Sequence, residues 1–332
     1  MERESAEVAV IGSGSWATAL VKMFSSNARK IAWYIRRKEI IDHIQTFKHN
    51  PKYLSTVNLD TQKLILTSDI NTAVGLADIL VFVIPSAFLK KTLSGLRTDI
   101  STKLVCSAIK GIVPEGNYIV GDFFNKKLNV PYENMVVLTG PSHSEEIAME
   151  RLTYLTLASQ DRSKAEKLSH LLKNHYLRTV ISDDIRGTEY AAVIKNIYAI
   201  SAGIADALGF GDNFLAVLLS NAATEMSRFI RAVYKNDRDF NSSPYLGDLM
   251  VTAYSKFSRN RMFGHMIGKG YSVRFTLLEM EMVAEGYYAS ACINEINKKL
   301  KVDIPIADTV YRILYKKASP SVEFRKLTEI LK

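Results

Sequence analysis

Apolar residues fall into two textures along this chain. In the first part they come in short runs bounded by glycine, proline or charge. Val8-Ala9-Val10-Ile11 breaks at Gly12-Ser13-Gly14, and Ser15-Trp16-Ala17-Thr18-Ala19-Leu20 follows as the opening of a helix. Further apolar runs at Lys30–Ile35, Leu64–Leu66, Asp78–Ile84, Lys103–Ala108, Met135–Leu138, Thr153–Leu157 and Arg178–Ile181 read as strands. Pro85 ends the strand before it, because it cannot continue a ladder. Strands with helical stretches between them predict an α/β unit with a parallel, doubly wound sheet. From Thr188 onward strand signals fade and helical stretches run to Lys332, so the expected division is 1–187 and an all-α 188–332, with the boundary near Asp184–Thr188. Tyr190–Asp206 is apolar on nearly every side and reads as a central buried helix, with Lys195 and Asn196 as polar intrusions.

Composition excludes several classes. The chain has 332 residues, 47% hydrophobic and 23% charged, which is ordinary for a soluble globular protein of about two domains. The N-terminus, MERESAEVAV, is charged and lacks a signal-peptide layout. No apolar run approaches the roughly 20 residues of a membrane helix, so no integral membrane segment is expected. Cys106 and Cys292 lie far apart and the six histidines show no ligand spacing, which argues against both a disulfide and a metal site and for a cytoplasmic setting. The net charge of +9 comes from scattered residues without a nucleic-acid module. Phosphorylated small molecules account for it better than nucleic acid does.

The strand–glycine turn–helix at Glu7–Leu20 is suited to a dinucleotide pyrophosphate. Gly12 permits the tight turn, Gly14 lets the phosphates approach the backbone, and Ala17 keeps the helix close to the strand. At the end of the second strand, Arg36-Arg37 stands where an acid usually holds the ribose of NAD; two arginines favour the 2′-phosphate of NADP. In doubly wound sheets ligands bind beyond the carboxyl ends of strands, where Ser86, Lys110 and Gly140-Pro141-Ser142 are expected. A lysine in a buried helix has its pKa pushed toward neutrality, so Lys195 is a candidate acid/base, with Asp248 as its carboxylate partner. Ser258-Arg259-Asn260-Arg261 offers a cationic fork flanked by hydroxyl and amide, suited to a phosphate monoester.

In order along the chain, Gly12-Ser13-Gly14-Ser15-Trp16, Ile109-Lys110-Gly111, Gly140-Pro141-Ser142-His143, Lys195-Asn196, Gly209–Asn213, Gly247-Asp248-Leu249, Ser258–Arg261 and Val283–Gly286 form a specific set. Together they resemble the bacterial NAD(P)-dependent glycerol-3-phosphate dehydrogenases over roughly residues 7 to 315. The resemblance implies a Rossmann-type first domain whose Ser15 and Trp16 hold the cofactor pyrophosphate, with Arg36 and Arg37 at its adenosine end. It implies that Lys110 touches cofactor and substrate, that Gly140 and Ser142 line the substrate, and that the Ser144 backbone meets the cofactor. It makes Lys195 the proton-transfer group with Asp248 beside it and Asn196 next to the carbonyl. Ser258, Arg259 and Asn260 grip the substrate phosphate, Arg259 also faces the cofactor, and Val283 and Glu285 close over it. Where the family usually carries threonine-arginine-glycine, this chain has Ser220-Asn221-Ala222.

These residues imply hydride transfer between NAD or NADP, with NADPH favoured, and dihydroxyacetone phosphate, giving sn-glycerol 3-phosphate for phospholipid synthesis. Two alternatives remain at this level: another β-hydroxyacid-type dehydrogenase, against which Ser258–Asn260 argues, and a non-catalytic NADP-binding regulator, which needs neither Lys195 nor Asp248. The oligomeric state is open, with a homodimer among the options.

Overall fold

The computed structural model describes residues 5–280 and 283–332; Met1 to Glu4 of the charged N-terminal segment lie outside them. The chain divides into two compact units. One runs to Ile109 and resumes over Val120–Ile185; the other is Lys110–Ile119 with Arg186–Lys332. A single boundary near residue 187 does not capture this, because the segment Lys110–Ile119 groups with the helical part.

The first unit is built on eight strands: β1 (Val8–Ile11), β2 (Ile31–Tyr34), β3 (Leu64–Thr67), β4 (Ile79–Phe82), β5 (Leu104–Ser107), β8 (Met135–Thr139), β9 (Thr153–Ala158) and β10 (Leu177–Ser182), while the short β6 (Ile112–Val113) and β7 (Tyr118–Ile119) belong to the other unit. The sheet order is β10-β9-β8-β5-β4-β1-β2-β3. β1, β2, β4 and β5 are buried along their whole length, as strands covered on both faces must be. β3, at the edge, is only half-buried. β1 pairs in parallel with β2 on one side and β4 on the other, so the chain reverses direction across the sheet at the carboxyl end of β1. That is the switch point at which such sheets bind ligands.

The sheet is not wholly parallel. β8 and β9 pair antiparallel, and β10 then follows β9 in parallel. Between β8 and β9 lies the five-residue helix Ser144–Ala148, and between β9 and β10 the eleven-residue helix Arg162–Leu172.

The second unit has its own apolar core around the 23-residue helix Ile185–Ala207, whose middle is buried on every side. It is not all-helical: β6 and β7 form a small antiparallel hairpin that packs against the helix Glu285–Leu300. The helix Arg259–Gly268 crosses Ile185–Ala207 backbone to backbone. A Cβ at Gly264 would stand 2.0 Å from the Ile200 carbonyl oxygen, and one at Gly203 2.0 Å from that of Arg261. Gly264→Ala should therefore lower Tm by several degrees, about 1–3 kcal/mol for overpacking, whereas Gly95→Ala, with nothing within 4 Å, should not. Paired thermal melts read the difference, and equal Tm values would mean that the helices separate without penalty.

Glu225 joins two further helices of this unit. On Asp212–Val233 and buried, it accepts the backbone N–H groups of Ile306 (2.9 Å) and Ala307 (3.0 Å) at the start of Pro305–Lys316. Burial still pushes its carboxyl up to about 8 against these two bonds. Asn221, where the resembling family usually has arginine, donates its amide to the Lys332 carbonyl at 2.7 Å. Among the described residues no helix is long and apolar enough to cross a membrane.

Candidate active site

In the first unit the site begins at the end of β1. Gly12 has a φ of +135°, and a Cβ there would lie 2.2 Å from the Val83 carbonyl oxygen, so only glycine fits between β1 and the residue that follows β4. Gly14 is different: a Cβ there would meet nothing within 4 Å. The turn thus leaves room for a group to approach its backbone and leads into the helix Ser15–Phe24, whose N-cap is Gly14. These features fit a dinucleotide pyrophosphate. Ser15 is buried and Trp16 half-buried at the helix start. Arg36 and Arg37 follow β2 on the surface, and Arg37 lies 3.9 Å from Glu39. Ser86 is buried after β4. Gly140 closes β8, its carbonyl accepting the Ser142 hydroxyl at 2.9 Å, and the buried Ser144 starts the next helix with its hydroxyl 3.1 Å from Glu145.

The second unit gathers ionisable groups that a core ordinarily excludes. Asp248 is 1% exposed and Lys195 3%, and the Lys195 ammonium meets Asp248 Oδ1 directly. Lys110 Nζ lies 3.8 Å from the other oxygen, Oδ2. A turn of π-helix, Ser243–Gly247, precedes Asp248, which then opens the helix Asp248–Tyr254. Thr252, one turn later, donates its hydroxyl to the Asp248 carbonyl at 2.6 Å.

With both lysines protonated the trio would carry two positive charges against one negative charge in a buried place. Burial pushes Lys195 down to about 7; Asp248 opposes that shift and Lys110 adds to it. Lys110 is also pushed below the ordinary lysine range by burial, with Asp248 opposing. One proton can therefore leave near neutral pH, leaving one cation against one carboxylate.

Asn196 and Asn260 do something the sequence reading did not foresee. Asn196 donates to the Lys110 carbonyl (2.8 Å) and to Ala192 (3.0 Å), while its own oxygen accepts from Asn260 (2.9 Å). The Asn260 oxygen in turn accepts the Gly286 N–H at 2.9 Å. A line of amides thus ties Lys110 to three helices and fixes the backbone that carries it. Gly286 must lack a side chain here, because a Cβ would lie 2.5 Å from the Asn196 carbonyl oxygen. Ser258 caps the helix Arg259–Gly268, its oxygen accepting from Arg261 N at 3.3 Å, and Arg259 is half-buried at the first position. Val283 and Glu285 are half-buried at the start of Glu285–Leu300. Both cysteines are buried and unpaired, and burial raises both thiols, Cys292 up to about 11. Among the described residues no cluster of histidine, cysteine or carboxylate could hold a metal ion.

Taken with the glycine turn, a lysine poised near neutrality in a buried pair narrows the chain to one class, dehydrogenases that use a nicotinamide dinucleotide. Its family follows from comparison with known proteins: the chain belongs to the NAD-dependent glycerol-3-phosphate dehydrogenases. Residues 7–165 match the N-terminal model of that family and residues 184–325 its C-terminal model. It is 35% identical over 315 residues to the glycerol-3-phosphate dehydrogenase [NAD(P)+] of Oceanobacillus iheyensis, covering 95% of this chain and 91% of that one. The Limosilactobacillus reuteri protein of the same name is 34% identical, with 93% of each covered. Among solved structures, glycerol-3-phosphate dehydrogenase from Coxiella burnetii superposes with a TM-score of 0.90 at 26% identity, covering 98% of this chain and 99% of that one. A D-mandelate dehydrogenase shares the fold alone, with a TM-score of 0.60 at 18% identity over 94% of this chain and 98% of that one.

Proposed function

We propose that this chain is an NAD(P)-dependent glycerol-3-phosphate dehydrogenase that reversibly reduces dihydroxyacetone phosphate to sn-glycerol 3-phosphate for glycerophospholipid synthesis. The observation that carries the chemistry is the buried Lys195–Asp248 pair with the half-buried Lys110 beside it, in a chain of this family. A bound nicotinamide dinucleotide supplies or accepts the hydride. The residues of the chain do the rest. The first unit holds the dinucleotide through Gly12, Gly14, Ser15 and Trp16. In the reducing direction Lys195, as ammonium, gives its proton to the oxygen of the substrate carbonyl; in the oxidising direction the neutral amine takes it back. Asp248 keeps that proton available against burial, and Lys110 polarises the same oxygen. Asn196 fixes Lys110 from behind.

Arg259, with the Ser258-capped start of its helix, binds the substrate phosphate: a ten-residue helix presents its N-terminal dipole and a planar cation to an anion. Asn260 supports this from within through Asn196 and Gly286. We also assign Gly140 and Ser142 to the substrate, and Ser144, Val283 and Glu285 to the cofactor, with Lys110 and Arg259 shared. Cytoplasmic placement and a homodimeric assembly belong to the same proposal, and light scattering after size-exclusion chromatography reads the second directly.

The test is oxidation of NADPH and NADH by the purified chain with dihydroxyacetone phosphate, beside D-mandelate-type 2-oxo acids. Turnover of the phosphorylated ketone alone is expected, and turnover of the oxo acid alone would replace this function with another. The surface pair Arg36 and Arg37 favours NADPH. Changing both to Ala should raise KM for NADPH by tenfold or more, as loss of about 1.5–3 kcal/mol in charge-assisted contact implies, while KM for NADH changes little. Equal losses for the two cofactors would show that these arginines do not read the 2′-phosphate.

A further inference from the structure

Three consecutive carbonyls of the glycine turn are each held from inside by a different side chain. The Trp33 indole donates to the Gly12 oxygen at 2.6 Å. The Asn50 amide donates to the Ser13 oxygen at 3.2 Å, and the Thr18 hydroxyl to the Gly14 oxygen at 3.1 Å. Two of the three donors are themselves joined, because the Asn50 amide also donates to Thr18 Oγ1 at 3.0 Å. All three side chains belong to residues with no solvent exposure.

The directions of these bonds form one consistent chain. The two amide hydrogens of Asn50 go to Ser13 and Thr18, and the Thr18 hydroxyl, accepting from Asn50, passes its own hydrogen to Gly14. The Asn50 oxygen is used as well: it accepts the backbone N–H groups of Lys52 (3.0 Å) and Tyr53 (3.2 Å), which folds the segment after Pro51 into a turn. Asn50 therefore fastens a loop some thirty residues downstream to the glycine turn.

A trans peptide is planar, so its N–H points opposite to its C=O. Holding the carbonyls of Gly12, Ser13 and Gly14 inward turns the N–H groups of Ser13, Gly14 and Ser15 the other way. A Cβ at Gly14 would meet nothing within 4 Å, so the turn has open space beside it. The Gly14 oxygen also accepts the Thr18 backbone N–H at 2.9 Å, the first bond of the helix, so the Thr18 hydroxyl adds to a plane the helix already holds. The half-buried Gly12 and Ser13 peptides, by contrast, rely on Trp33 and Asn50 and could rotate without them.

We propose that Trp33, Asn50 and Thr18 are positioning residues for the dinucleotide, which lock three successive peptide planes so that their N–H edges face its pyrophosphate. The proposal rests on the reading of this turn as the dinucleotide site. Asn50 is its keystone, since it reaches the turn from a separate loop and bonds both the Ser13 carbonyl and Thr18. Pre-orientation of this kind reduces the ordering that binding must impose, so its loss is expected to weaken binding rather than alter hydride chemistry.

The experiment measures dissociation constants of NADPH by nucleotide fluorescence, and of ADP-ribose and adenosine by competition, for the full chain and its variants Asn50→Ala, Thr18→Val and Thr18→Ser. ADP-ribose carries the pyrophosphate and adenosine does not. For Asn50→Ala and Thr18→Val, NADPH and ADP-ribose should bind about tenfold or more weakly while adenosine is unchanged. Thr18→Ser, which keeps the hydroxyl, should restore binding to near the parent. KM for dihydroxyacetone phosphate at saturating NADPH should not move. If Asn50→Ala does not fold, the Thr18 pair decides alone. Variants that lose Tm yet keep the parent ratio of ADP-ribose to adenosine affinity would overturn the proposal, leaving these residues structural. A parent chain that binds neither NADPH nor ADP-ribose would overturn the dinucleotide reading and this proposal with it.

Discussion

Replacing Lys195 by alanine should slow reduction of dihydroxyacetone phosphate by roughly 10²–10⁴-fold, the usual measure of a lost acid/base group. The same loss should appear in oxidation of glycerol 3-phosphate, since one residue serves both directions. NADPH affinity should barely change, because the glycine turn belongs to the other unit. Lys195→Arg should not restore the rate, since a guanidinium does not release its proton near neutral pH. The parent enzyme should show the matching pH dependence. Lys195 titrates at about 7, so the reduction rate should fall as pH rises through that value and the oxidation rate should rise. Single-turnover hydride transfer, followed by NADPH absorbance with both substrates saturating, is the measurement. A folded Lys195→Ala chain within tenfold of the parent would leave the proton to Lys110 or water.

Much of this was legible in the sequence, for identifiable reasons. Buried parallel strands such as Val8–Ile11 and Asp78–Ile84 announce themselves as short apolar runs, and Gly12-Ser13-Gly14 between a strand and a helix carries its own geometry. The antiparallel pairing of β8 and β9 was not legible, because an apolar run marks a strand without marking its direction. The hairpin Ile112–Val113 with Tyr118–Ile119 was missed as well: two residues per strand are too few to show alternation. In the candidate site, Lys195 stood out because a charge in an apolar helix is conspicuous. Asn50, Trp33 and Thr18 did not. Asn50 precedes Pro51 and reads as an ordinary turn residue, while Trp33 and Thr18 read as core and helix. Their function lies in what they meet 21 to 37 residues away in sequence or one helical turn back, which no local pattern encodes. Asn260, expected at the substrate phosphate, also bonds Asn196 and Gly286. A buried amide and an anion-binding amide look alike until their partners are known.

Asp248→Asn should uncouple the proton from Lys195 while changing almost no volume. The carboxylate is the strongest influence that opposes burial at Lys195, and it plays the same part at Lys110. Without it the two cations face each other in a buried place, and each holds its proton less firmly. The descending limb of the reduction rate should therefore move below pH 7 by roughly one pH unit or more, with the rate near neutrality falling accordingly. Stability gives an independent reading, and its sign is fixed. In the folded parent Lys195 titrates at about 7, against 10.5 for a free lysine, so the penalty for burying its charge is fully present below about pH 7 and is relieved as pH rises toward 10.5. Removing the carboxylate enlarges that penalty, by up to about 3–5 kcal/mol for a broken buried pair. The Tm deficit of Asp248→Asn should thus be greatest at low pH and shrink as pH rises, because above 10.5 neither lysine needs a counter-charge. Thermal melts between about pH 6 and 10, run beside pH–rate profiles, test both arms. An unshifted rate profile together with a deficit independent of pH would reduce Asp248 to a packing residue, and the poise of Lys195 would then have to come from burial and Lys110 alone.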